Sequence, residues 1–77
     1  EGFVPVVVGI DDRYYRFEVF DRWGLRVFGS ETPGLAWDGR LPDGSEAPSD
    51  VYVWQVRVKD AYSGDRVERI GHVTLLR

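Results

Sequence analysis

The sequence predicts an all-β domain, a small immunoglobulin-like antiparallel β-sandwich of about five to seven short strands. Three observations predict it. Apolar and polar residues alternate at period two in several segments. Turn-forming residues stand between those segments. No window of about ten residues carries a helical stripe, and Gly and Pro occur nine and four times.

The elements follow in chain order. Phe3 to Val8 is a candidate edge strand, because Pro5 cannot donate to a ladder on both sides. Tyr15, Phe17 and Val19 alternate with Arg16 and Glu18. Asp21-Arg22-Trp23-Gly24 then turns the chain, and Gly24 can supply the positive φ of a tight hairpin. Leu25-Arg26-Val27-Phe28 resumes the strand pattern. Residues 29–50 form a long connection that holds Trp37-Asp38-Gly39 and the turn Pro42-Asp43-Gly44. A connection of that length crosses between sheets or carries function. Val51 to Lys59 is the longest alternating run, with Tyr52, Trp54, Val56 and Val58 on one face. Ser63-Gly64-Asp65 joins it to a last strand over Val67 to Leu76, as an antiparallel hairpin.

At 77 residues the chain is one small domain. Such a chain buries only about 60% of its unfolded surface, so its apolar residues, 43% of the total, must be used efficiently. Without Cys there is no disulfide, thiol nucleophile or thiolate metal site, and His72 is the only His. The aliphatic run Val6-Val7-Val8 is far too short to span a membrane. A net charge of −3 with scattered cations argues against nucleic acid. Nine of the ten cations are Arg, which suits bidentate and stacked contacts, but a high-GC or thermophilic source is the favoured reading.

Catalysis finds little support. No G-x-S-x-G elbow is present, and His72 lies within a strand pattern, where His is ordinarily packed or solvated. The acidic groups Asp11/Asp12 and Asp43/Glu46/Asp50 lie in loops, where Asp forms turns. Asp38, Asp43, Glu46 and Asp50 do not match EF-hand spacing. The chain is therefore read as no enzyme, with no cofactor and no metal. Trp23, Trp37 and Trp54 raise a carbohydrate- or cell-surface-binding module as the alternative. Trp54 reads as core, Trp37 as the plug at one end, and Trp23 as the exposed one.

Three segments in fixed order carry a resemblance. They are Phe17 to Gly24 with Val27-Phe28, then Trp37-Asp38-Gly39 with Pro48 and Val51 to Trp54, then Gly71 to Arg77. Together they resemble the gliding-motility-associated C-terminal domain, the type B sorting domain of type IX secretion in Bacteroidetes. Trp-Asp-Gly followed by a Val-Tyr strand also occurs in flagellar hook-capping domains and in type A sorting domains. The Arg22-Trp23-Gly24 turn favours type B. Asp21 stands where that family often has Asn, and Ser49-Asp50 where it has Ser-Gly. The family's opening Asn-Gly-Asp-Gly segment does not appear.

The resemblance implies a single non-catalytic sorting domain over residues 1–77, excised from a larger secreted protein. It would direct N-terminal cargo domains of the same chain through the periplasm and the outer membrane to the cell surface or medium. The implied partners are outer-membrane translocon components. The expected recognition surface is Arg22, Trp23 and Gly24 with Thr74, Leu75, Leu76 and Arg77, the strand end serving for β-augmentation. Trp37, Asp38, Gly39, Val51, Tyr52 and Gly71 form the expected structural motif. If both leucines are buried and Arg22 stacks on Trp23, folding alone accounts for the surface residues.

Overall fold

The computed structural model describes residues 2–76. Four strands are present: β1 (Arg16–Phe20), β2 (Arg26–Ser30), β3 (Asp50–Lys59) and β4 (Arg66–Leu75). They form one sheet in the order β2-β1-β3-β4, with every neighbouring pair antiparallel. The all-β class holds. The strand count among the described residues is four, below the expected five to seven.

Alternation decides which face is buried. Phe17 and Val19 of β1 lie opposite Val56 and Trp54 of β3, and Tyr52 and Val58 extend the same face. Phe17 and Val19 are fully buried, each worth about 1.5–3 kcal/mol relative to exposure. The opposite face carries Glu18, Gln55, Arg57 and Glu68.

The register shifts between Val19 and Phe20, which pair with Phe28 and Arg26. Val27 is the extra residue of a β-bulge. The bulge lets two consecutive residues serve the core: Val27 is buried, and the Phe28 ring meets Phe17 edge-on at 5.7 Å.

The candidate strand at Phe3–Val8 does not form. The N-terminal segment instead lies over the core face and touches the rest through two isolated bridges, Phe3 with Trp37 and Ile10 with Asp60. Phe3, Val7 and Ile10 pack against the core, while Val6 and Val8 are 91% and 87% exposed. Alternation is thus present, but no neighbouring strand among the described residues takes up the backbone groups between the bridges.

The long connection forms the other half of this layer. Phe3 and Trp37 exchange backbone hydrogen bonds of 2.8 Å in both directions. Trp37 is buried against Tyr52 at 5.1 Å, and its Nε1 donates to the Arg40 carbonyl at 2.9 Å. The Asp38 carboxylate accepts from the Arg40 amide, and Gly39 takes φ 78°, which closes the turn beneath the indole. Among the described residues the loop covers the one four-stranded sheet that is formed.

Candidate recognition surface

The β1–β2 turn is built by one carboxylate. Asp21 Oδ1 accepts hydrogen bonds from the Trp23 and Leu25 amides, each at 2.9 Å. The Asp21 amide donates to the Leu25 carbonyl, and the Gly24 amide returns to Asp21. Gly24 sits at φ 84°, where a Cβ would be strained. An Asn at position 21 offers the same oxygen, so the departure from the expected pattern preserves the turn.

This turn displays Trp23, whose ring is 81% exposed. The Arg22 guanidinium lies 5.5 Å from its centroid, a cation–π contact. Arg22 Nη1 also donates to Asp50 Oδ2 at 3.4 Å. Asp50 opens β3, and its register partner is Leu75 of β4. The turn and the end of β4 thus lie at one end of the sheet, joined through Asp50.

The residues at that strand end divide. Leu75 faces the core and is partly buried. Thr74, paired with Val51, is exposed, and Leu76 is 82% exposed. Arg22 does stack on Trp23, but folding does not account for Leu76. Arg77 lies outside the described residues. β4 is an edge strand with one side open along its length among those residues. Its first half carries Arg66, Glu68 and Arg69, charges that discourage edge pairing. Its second half, from Gly71 on, carries only His72.

Sequence reading missed a wall of this region. Trp23 and Leu25 face Leu41, Pro42 and Pro48 across a groove of about 490 Å³ beside Asp50. Leu25 next to Gly24, and the prolines Pro42 and Pro48 on either side of Asp43 and Glu46, were the available signals.

The structural motif residues serve the fold. Trp37 and Tyr52 pack together in the core, and Tyr52 Oη donates to the Pro48 carbonyl at 2.8 Å. That bond ties the loop to the root of β3. Val51 holds the register with Thr74 and is otherwise exposed. Gly71 lies under the Trp54 indole, so a Cβ there would stand 2.6 Å from Cε2. Trp54 completes the partly buried rim with Phe3, at 5.9 Å. Of the three tryptophans only Trp23 is displayed, so they do not share one platform.

The carboxylates flagged in the loops are turn formers. Asp11 accepts from Arg13 through side chain and backbone, which lowers its pKa to about 2. Ser45 and the 62–63 amides lower Asp43 and Asp60 in the same way. Among the described residues no group of three or more His, Cys, Asp or Glu is arranged to hold a metal. No helix among them is long and apolar enough to cross a membrane.

The sequence model of the family described as CHU_C Type IX secretion signal domain matches residues 6–75. The chain belongs to this family. No curated protein and no solved structure matches it. As a type IX secretion signal domain it is the sorting signal of an exported chain. The family implies engagement with type IX machinery and a secreted or cell-surface destination, and it is not known for catalysis. The gliding-motility and Bacteroidetes associations of the resemblance agree with the family.

Proposed function

We propose that the Arg22-Trp23-Gly24 turn and the Thr74-Leu75-Leu76 strand end form one surface, which a component of the outer-membrane translocon binds. The observation that carries this reading is Asp50, which contacts Arg22 and is the register partner of Leu75. Trp23 and Leu76 offer apolar area that the fold leaves in water. The uncharged stretch beyond His72 supports pairing with a strand of the partner. Arg77, which follows Leu76 in the sequence, is included in the proposed surface. We further read residues 1–77 as one non-catalytic domain of a larger protein, whose other domains are its cargo. The layer formed by the N-terminal segment and the loop supports an immunoglobulin-like sandwich with an irregular second half.

The test is export. Residues 1–77 are fused to a fluorescent reporter with a periplasmic signal peptide, in a gliding Bacteroidetes host. The expected result is reporter on the surface or in the medium, lost in a translocon mutant. Trp23→Ala and Leu76→Ser are expected to leave the domain folded and the reporter in the periplasm. Normal export by both variants, and by Arg77→Ala, would sink the surface and leave the sorting role standing.

A further inference from the structure

At the opposite end of the sheet, cations stand directly across from cations. Arg16 of β1 is the register partner of Arg57 of β3, and Lys59 of β3 is that of Arg66 of β4. Like charges opposed in this way destabilise a sheet. The fold neutralises part of the cluster. Arg57 Nε donates to Glu68 Oε2 at 2.9 Å, and Arg16 Nη1 donates to Glu31 Oε2 at 3.0 Å. Lys59 and Arg66 have no ion-pair partner among the described residues. The Lys59 ammonium lies 4.5 Å from the Tyr14 ring centroid. It acts on Asp11 only through space, and Arg13 already holds that carboxylate.

These side chains line a cavity of about 530 Å³ that presents five cations and two carboxylates. The chain as a whole is acidic, at −3, so overall composition does not produce this concentration of positive charge.

We propose that this cavity binds a phosphate group. Lys59 and Arg66 supply the uncompensated charge, and Arg16 and Arg57 supply guanidinium donors. A phosphate monoester carries about −1.5 to −2 near neutral pH, which two cations without carboxylate partners match. Guanidinium groups fit phosphate oxygens in a bidentate manner. Tyr14, half exposed beside Lys59, offers a face to whatever the phosphate is attached to. A soluble phosphate and a lipid head group share this chemistry. The site is separate from the Arg22 turn and stands or falls independently of it.

The experiment uses the whole chain, 15N-labelled, at low ionic strength. One arm titrates inorganic phosphate and follows amide shifts. The other measures co-sedimentation with phosphatidylglycerol–phosphatidylcholine vesicles against phosphatidylcholine alone. Lys59→Gln/Arg66→Gln is compared with Arg40→Gln/Arg69→Gln, which removes the same charge outside the cavity. Phosphate is expected to give saturable shifts confined to residues 13–16, 57–59 and 66–68. The cavity variant should weaken binding by about tenfold or more, since each loses a charge-assisted bond. A silent phosphate arm, with vesicle binding lost only in the cavity variant, would assign the group to a lipid. No response in either arm, or equal losses in both variants, would overturn the proposal. In phosphate-free buffer the cavity variant should melt no lower than the parent, because the Lys59–Arg66 opposition is gone. A lower melting temperature would overturn the claim that these two cations are uncompensated.

Discussion

Arg22 reaches the carboxylate of Asp50 at 3.4 Å while its guanidinium lies over Trp23. Arg22 is largely exposed and Asp50 partly so. Such pairs contribute about 0–1 kcal/mol. Arg22→Ala is therefore expected to leave the melting temperature nearly unchanged and to reduce export of a fused reporter. A large fall in thermal stability would reassign Arg22 to the fold.

The Asp21 carboxylate holds two amides of the turn. Asp21→Asn keeps the accepting oxygen and should be close to neutral. Asp21→Ala leaves both amides to water and should cost about 0.5–2 kcal/mol, as removal of a comparable cap does. Chemical denaturation of the two variants side by side distinguishes them. Equal stabilities would mean that Gly24 alone sets the turn.

Gly71 has no unusual φ; its constraint is the indole above it. Gly71→Ala forces Trp54 aside, a packing change that costs about 1–3 kcal/mol. Melting should drop by roughly 4–8 °C per kcal/mol in a domain of this size. Tryptophan emission should shift to the red as the ring enters water. An unchanged melt would show that the rim repacks freely.

Trp37→Phe retains a ring against Tyr52 but loses the Nε1 bond to Arg40. Trp37→Ala also empties the space beneath the loop, at about 3–5 kcal/mol. A small domain has little stability to spare, so the alanine variant is expected to be largely unfolded by circular dichroism. The phenylalanine variant should fold with a lower midpoint.

Acid should weaken the domain below the usual carboxylate range. Asp11 has a folded pKa of about 2 against an ordinary 3.8, because Arg13 holds the charged form. Asp43 and Asp60 shift the same way through their turn amides and hydroxyls. A depressed folded pKa means the contribution is complete above about pH 4 and is lost as pH falls through the folded value. Asp11→Asn should flatten part of the stability profile between pH 4 and about 2. A carboxyl NMR titration placing Asp11 near 3.8 would contradict the Arg13 contact.

The four strands were legible because each has one wet and one dry face. Phe17, Val19 and the even positions of β3 could be assigned from alternation alone. The β-bulge was not legible: Val27 and Phe28 are adjacent apolar residues, and only the register shows why both face inward. Phe3 to Val8 reads as a strand locally, but a strand also needs a neighbour, which period-two patterning cannot supply. Of the surface, Trp23 was legible as a turn residue. Its union with the end of β4 was expected only from the resemblance; the contact that links the two, through Asp50 across the sheet, was not legible. The cation pairs escaped for the same reason: their residues are distant in the chain and meet only through strand register.

The β3–β4 hairpin carries a consequence for the order of assembly. Its two strands are ten residues each, and only the turn at 60–65 separates them. Such local contacts close within microseconds, whereas pairing of β1 with β3 must first close a much longer loop. The bridge of Ile10 with Asp60 links positions farther apart still. The order expected from loop length is the β3–β4 hairpin first, zipping from its turn to the pair of Asp50 with Leu75, and the amino-terminal layer last. A partner reading the end of β4 could engage a chain whose amino-terminal layer is still open, so timing as well as shape would decide which molecules are captured.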